Sequence, residues 1–292
     1  MSHQRRETLY GLLCISPWII GFLVFTLGPI IASLVISLFR TDFLSTWDFV
    51  GGRNYSLMVS DLLAQKALTN TAYYAFAVVP LNTTIALGIA VLLNQGIKGQ
   101  GVWRTIYYLP SVVSIVAVSM LWRWLYHPDI GLLNSILAAF GIQGPRWIYS
   151  EQWAMPSIIV MAAWGAGGAM LIFLAGLRGI PTELYEAAEI DGAGSIRKFF
   201  AVTIPMLTPT IFFNVVMSII GSWQVFAQSF IMTEGGPNNA TLTLVLYLYR
   251  KGFQQFYFGY AASLAWLLFA VVLVFVLIAL RSATAWVHYE RV

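Results

Sequence analysis

The sequence predicts an all-α polytopic membrane protein with six spanning helices. Of its 292 residues, 59% are hydrophobic and 10% are charged, against about 25% charged in soluble domains. The stretches 8–39, 67–97, 105–122, 152–177, 199–233 and 252–280 carry no charge, and each is at least eighteen residues long. A helix needs roughly twenty apolar residues to cross the hydrocarbon. Strands of a membrane barrel alternate apolar and polar residues over about ten positions, and these runs are longer and uniformly apolar.

Spans are placed near 12–38, 68–94, 105–126, 154–177, 207–231 and 257–281. Arg5 and Arg6 precede the first run, as in a secretion signal. Signal cores are about 7–15 residues, so the longer run here reads as a retained span. The lone cysteine, Cys14, lies inside it and reads as apolar filler. Pro29, Pro80 and Pro110 fall within or at the start of spans, where a missing N–H favours a kink. Segment 130–145, punctuated by Gly and Pro, reads as a short surface helix outside the core. Trp122, Trp124 and Tyr126 close the third span, and Trp147, Tyr149 and Trp153 open the fourth, the pattern of an interfacial belt. No repeat appears and the loops are short, so residues 1–292 read as one transmembrane domain with no attached enzyme.

Six spans put both termini on one side. With the termini inside, nine basic residues are inside and seven outside, a weak lean in the usual direction. The net charge of +4 points to loop charges near lipid head groups, not to nucleic acid. The chain has no G-x-x-x-x-G-K-[ST] run to cradle phosphates. His3, His127 and His288 are far apart, which argues against a metal site. The span cores hold no Asp, Glu, Lys or Arg, and Arg123 sits near the outer end of the third span. Ion-coupled carriers and pumps usually need such groups. A channel would need them too, or a filter motif, and a scaffold needs no patterned acidic loop. The cargo expected is neutral and rich in hydroxyls.

The loop 178–206 is the most polar part of the chain, with Glu183, Glu186, Glu189 and Asp191, four of the twelve acids. Thr182 is placed to cap a helix from Glu183 to Asp191, Gly192 to end it in the left-handed conformation, and Ser195 to cap a second short helix through Phe200. Ala187 and Ala188 offer a small-residue face. An ordinary interfacial helix would account for composition alone. The order Glu186-Ala187-Ala188, three residues, Gly192, nine residues, then Val202-x-Ile204-Pro205 resembles the EAA loop of ABC-importer permeases. Val202 and Ile204 stand where that pattern has Ile and Leu. Arg104 to Pro110, Trp122 to Asn134, and Thr233 to Thr241 around Gly235-Gly236-Pro237 resemble the carbohydrate-uptake permeases of the maltose and glycerol-phosphate type.

The resemblance implies a type I ABC-importer permease fold in the cytoplasmic (inner) membrane, with both termini cytoplasmic. It implies that Glu186, Ala187, Ala188, Asp191 and Gly192 dock in an ATPase cleft. It also implies a second homologous permease, two ABC ATPase subunits that bind ATP and Mg, an extracytoplasmic solute-binding protein and a sugar cargo moved by alternating access. Glycerol 3-phosphate is the nearer alternative, but a phosphate ester would favour a basic group in the spans. The fifth span carries a polar stripe of Asn214, Ser218 and Ser222 with Gln224, then Gln228. A polar stripe serves either interhelical hydrogen bonds or a wet pathway. Read as a pathway, the stripe bonds sugar hydroxyls and Trp223 or Trp164 stacks on a sugar face; by resemblance Ser218 and Ser222, with Trp164 and Gly165, line the sugar site.

Overall fold

The computed structural model describes residues 3–288, with side chains from Tyr10. The side chains of His3, Arg5 and Arg6, and residue Arg291, lie outside the described set. The elements run α1 (His3–Phe22), α2 (Gly28–Ser37), β1 (Phe39–Thr41), β2 (Trp47–Phe49), α3 (Arg53–Ser60), α4 (Leu62–Asn94), α5 (Gln100–Val112), α6 (Ile115–Leu125) and α7 (Leu132–Ala139). There follow α8 (Glu151–Trp164), α9 (Gly167–Arg178), α10 (Thr182–Ile190), α11 (Ser195–Lys198), α12 (Ile204–Trp223), α13 (Ala227–Thr233), α14 (Leu244–Tyr249) and α15 (Phe258–Trp286).

Among the described residues, four continuous helical runs are long and apolar enough to cross a membrane: Tyr10–Ser37, Leu62–Asn94, Ser195–Trp223 and Phe258–Trp286. At 1.5 Å per residue, each exceeds the roughly 30 Å hydrocarbon thickness. No residue in the most apolar window of the first run is buried by protein, as suits a helix solvated by lipid. Two bent pairs complete the set: α5 with α6 at 97°, and α8 with α9 at 43°. Counting each pair as one span gives six.

The expected third span, 105–126, is therefore not one straight helix. α5 and α6 have 13 and 11 residues, too few for either to cross alone. Val113 and Ser114 between them are extended, with ψ of 140° and 132°. Pro110 removes a hydrogen bond from the last turn of α5, and the β-branched pair Val112-Val113 favours extended backbone. The expected fifth span, 207–231, also differs. α12 stops at Trp223 and a separate short helix, α13, starts at Ala227. At its other end α12 continues back through a π turn, Phe199–Thr203, into α11, so the expected second loop helix is the foot of the fifth span.

Contacts divide the chain into two compact units, Met1–Leu62 with Leu248–Leu267, and Leu63–Tyr247 with Leu268–Val292. The first contains an antiparallel hairpin that hydropathy does not reveal, pairing Phe39 with Phe49 and Thr41 with Trp47. Buried Asn54 donates to the carbonyls of Ser37 (2.7 Å) and Phe39 (2.9 Å), closing the hairpin onto α3. In the hairpin turn Asp42 Oδ1 accepts from the N–H groups of Leu44, Ser45 and Thr46. These bonds, the one from Thr46 foremost, hold its carboxyl well below the usual carboxylate range.

The second unit holds two apolar clusters. One gathers Tyr74 and Val78 of α4, Val118 of α6, Ile158 and Met161 of α8, and Tyr126. The other sets Ala86 and Ala90 of α4 against Met170 and Phe173 of α9 and Leu207 of α12. Gly167 meets the backbone of Tyr107 so closely that a Cβ would overlap its carbonyl, fixing α9 against α5. The Gly235-Gly236-Pro237 loop is tied to the start of α4. Lys66 Nζ donates to Asn238 O (2.6 Å), and Asn70 Nδ2 donates to Asn239 O (2.9 Å) and Leu242 O (3.0 Å).

The expected aromatic belt is only partly at the rims. Trp124, Tyr149 and Trp153 are exposed, but Tyr126 is fully buried and donates its hydroxyl to Ser157 O at 3.0 Å. Ring contacts join Trp164, Trp122, Tyr126, Trp147 and Trp153 in series at 5.2–6.1 Å between centroids. The middle of this series, Trp122, Tyr126 and Trp147, packs in the apolar cluster at the α6–α8 corner.

Candidate functional site

Two places in the second unit collect the residues singled out above. The first is a cavity of about 380 Å³ at the break between α5 and α6, within the usual range for small-molecule sites. Pro110, Ser111, Val113 and Ile115 at the break form one wall, and Tyr74, Val78 and Asn82 of α4 form another. Trp164 and Gly165 close α8 at the cavity edge, and Ser218, Gly221 and Ser222 of α12 face them with Gln228 of α13. Among the described residues, none of the side chains that line it is charged. Irregular backbone within a membrane span is tolerated where it is buried in protein or lines a cavity, and here the extended residue Val113 lines this one.

The cavity brings together Trp164, Gly165, Ser218 and Ser222. It does not include Asn214 or Gln224. Asn214 is buried and donates Nδ2 to Thr210 O of its own helix at 2.9 Å. Gln224 follows the last residue of α12 and is exposed, whereas Gln228 on the next helix lines the cavity. Trp223 is also outside the cavity. It is buried and stacks on Phe275 at 5.3 Å and 24°, so of the two tryptophans Trp164 is the one that lines the cavity. Sequence reasoning missed Asn82, Tyr74 and the α5–α6 break. The spacing 74, 78, 82 on one helix face was a signal, but an apolar face of that kind is more often core.

The second place is the loop after α9. α10 is nine residues long. Pro181, not Thr182, is its cap residue, and no side chain caps it. Gly194 takes the cap position of α11 in place of Ser195, again with no side-chain bond. Proline suits the turn into α10 through its fixed φ. Gly192 has φ +74°. Its N–H donates to Glu189 O (3.0 Å), and the Ala193 N–H donates to Ala188 O (2.9 Å). These two bonds form a Schellman motif, satisfying carbonyls at the helix end.

The inner side of the loop is anchored. Tyr185 Oη lies 2.9 Å from Thr203 Oγ1 on the π turn. Lys198 Nζ donates to Glu189 Oε2 at 3.0 Å, a bond sequence reasoning did not anticipate. The outer side is free within this chain: Glu186, Ala187, Asp191 and Gly192 are exposed, and Ala188 is half-buried. Ile190 is 88% exposed and Ile196 79%. Both stand out from the charged loop with no apolar neighbour covering them among the described residues. Sequence reasoning passed over both, because an isoleucine among charged residues has no signature until its direction is known.

A helical chain that crosses a membrane several times, breaks a span around an uncharged cavity and lifts a capped acidic helix beyond the spans has the parts of a solute permease. The family model of the binding-protein-dependent transport system inner membrane component matches residues 82–286. The chain is 40% identical over 291 residues to the probable ABC transporter permease protein YesP of Bacillus subtilis, covering 98% of this chain and 94% of that one. It is 37% identical to the arabinooligosaccharides transport system permease protein AraP of Halalkalibacterium halodurans, covering 89% and 83%. A chain of a bacterial alginate ABC transporter, crystallised with an alginate pentasaccharide-bound periplasmic protein, superposes with a TM-score of 0.83 at 25% identity, covering 96% and 95%. The chain belongs to the binding-protein-dependent transport family as an inner-membrane, multi-pass component. It is a permease subunit of an ABC importer and not a catalytic subunit.

Proposed function

We propose that this permease carries a neutral sugar or short oligosaccharide through the cavity at the α5–α6 break. The observation that carries the reading is the lining itself: hydroxyls of Ser111, Ser218 and Ser222, the amides of Asn82 and Gln228, an indole at Trp164, and no charge. Hydroxyls and amides bond sugar hydroxyls, and an indole stacks on a sugar face. A phosphate ester such as glycerol 3-phosphate would be left without a cation there. Relatives whose names state arabinooligosaccharides support a carbohydrate cargo.

In this reading residues 1–292 act as one domain, with both termini and the loop 178–206 in the cytoplasm. The chain pairs with a second, homologous permease. The loop docks through Glu186, Ala187, Ala188, Asp191 and Gly192 on one of two ATPase subunits, which bind ATP and Mg. An extracytoplasmic binding protein delivers the sugar. Closure of the ATPases moves the loop and, through Thr203, the foot of the fifth span, so that the cavity opens to one side at a time. Uptake by the whole importer in liposomes tests the cargo, with arabinotriose, lactose, maltose and glycerol 3-phosphate as probes. ATP-driven uptake of an uncharged sugar, with none of glycerol 3-phosphate, is expected. Uptake of glycerol 3-phosphate alone contradicts the reading.

A further inference from the structure

Tyr74, Val78 and Asn82 are spaced four residues apart and form the α4 wall of the cavity. Asn82 is the amide among them. Its Oδ1 is covered by protein and has no hydrogen-bond partner. Buried side-chain oxygens are nearly always paired, so an orphan in a native fold calls for a role. Among the lining hydroxyls, Ser222 Oγ donates to Ile219 O at 3.1 Å and Ser111 Oγ donates to Tyr108 O at 2.7 Å, each within its own helix. An asparagine that served as glue between helices would have its oxygen paired across the interface. Asn82 does not, so turning its carboxamide about the Cβ–Cγ bond breaks no bond at that oxygen.

We propose that Asn82 is a specificity-determining contact for the cargo, its carboxamide oxygen turning into the cavity to accept a hydrogen bond from one hydroxyl of a neutral sugar. The inference rests on the cavity reading above and deepens it. An acceptor fixed on α4 opposite the serines of α12 reads one hydroxyl of the ring. A sugar lacking that hydroxyl leaves the oxygen unpaired, and sites built this way reject the deoxy analogue. A neutral carboxamide also does this without placing a charge at membrane depth.

The test uses the whole importer with its binding protein in liposomes, and whichever of arabinotriose, lactose or maltose it takes up. Uptake of that sugar is compared with uptake of its monodeoxy analogues. The wild type is expected to discriminate against one analogue by about tenfold, the worth of one such hydrogen bond. In Asn82→Leu, uptake of the parent sugar falls and the ratio for that analogue collapses toward one, while ratios for the other analogues stay unchanged. Asn82→Ala is read by the same ratio and covers poor insertion of the leucine variant. A purely structural role lowers all sugars together and leaves every ratio intact, which would overturn the proposal. So would a wild type that discriminates against no analogue. Separately, Ser218→Cys and Ser222→Cys variants sealed from water in every state sink the cavity reading itself. Accessible cysteines with unaltered ratios sink Asn82 alone.

Discussion

Tyr185 Oη and Thr203 Oγ1 lie 2.9 Å apart. The bond joins the exposed helix of the loop to the π turn that runs on into the fifth span. In the proposed mechanism this bond passes a push on α10 to α12, whose residues Ser218 to Ser222 border the cavity. Tyr185→Phe keeps the ring against its apolar neighbours and removes only this bond, worth about 1 kcal/mol. Insertion and assembly should be normal, and uptake per ATP hydrolysed should fall severalfold. Coupling at the wild-type ratio would show that the link is not used.

Gly192 is the loop position that most needs its own residue, since φ +74° costs an L-residue roughly 1–2 kcal/mol. Gly192→Pro adds loss of the N–H that bonds Glu189 O. This variant, and Glu186→Lys on the exposed face, should reach the membrane yet show reduced sugar-stimulated ATP hydrolysis. Wild-type stimulation in both would remove the loop from the coupling path.

Ile190, 88% exposed, should behave as an anchor for a partner and not as core. Ile190→Asp should leave the thermal stability of the isolated subunit within about 0.5 kcal/mol, as for surface sites. It should also weaken co-purification of the ATPase subunits by tenfold or more, the signature of a hot spot. Equal recovery of ATPase with the variant would place the contact elsewhere.

Gly167 and Gly101 give a matched pair for close approach. A Cβ at Gly167 overlaps the Tyr107 carbonyl, whereas one at Gly101 meets nothing within 4 Å. Gly167→Ala should destabilise the subunit by about 1–3 kcal/mol in a thermal melt, the usual cost of overpacking. Gly101→Ala should be neutral or slightly stabilising, since alanine is the better helix former. Equal melting of the two variants would deny that α9 is seated on α5 here.

The long helices were legible because each rests on a continuous apolar run whose signal needs no partner. Gly192 was legible for a related reason: a helix end with a left-handed residue is a local matter. The break at Val113-Ser114 was not, because hydropathy registers composition and not direction, and the two halves sum to a plausible span. Tyr126 and Trp147 look like rim aromatics until α6 and α8 bring them together. Trp223 looked available to a sugar until Phe275, fifty-two positions later, covered it. The cavity draws on α4, α5, α6, α8, α12 and α13, so its membership is tertiary. Of the stripe read from the fifth span, helical phase kept Ser218 and Ser222. It misplaced Gln224, because the helix ends at Trp223.

Cysteine accessibility tests most directly whether the broken span encloses a watery path. Ser218→Cys and Ser222→Cys are made in a Cys14→Ser background, with Phe213→Cys and Met217→Cys on the outward face as controls (Phe213 and Met217 are 51% and 54% exposed, on an apolar surface). A small charged thiol reagent is added from water to the assembled importer, with and without nucleotide trapping. Fast labelling at 218 and 222 that changes with the trapped state is expected, with slow, state-independent labelling at 213 and 217. Uniformly slow labelling at 218 and 222 in every state would contradict a watery path, and would make the α12 serines interhelical glue.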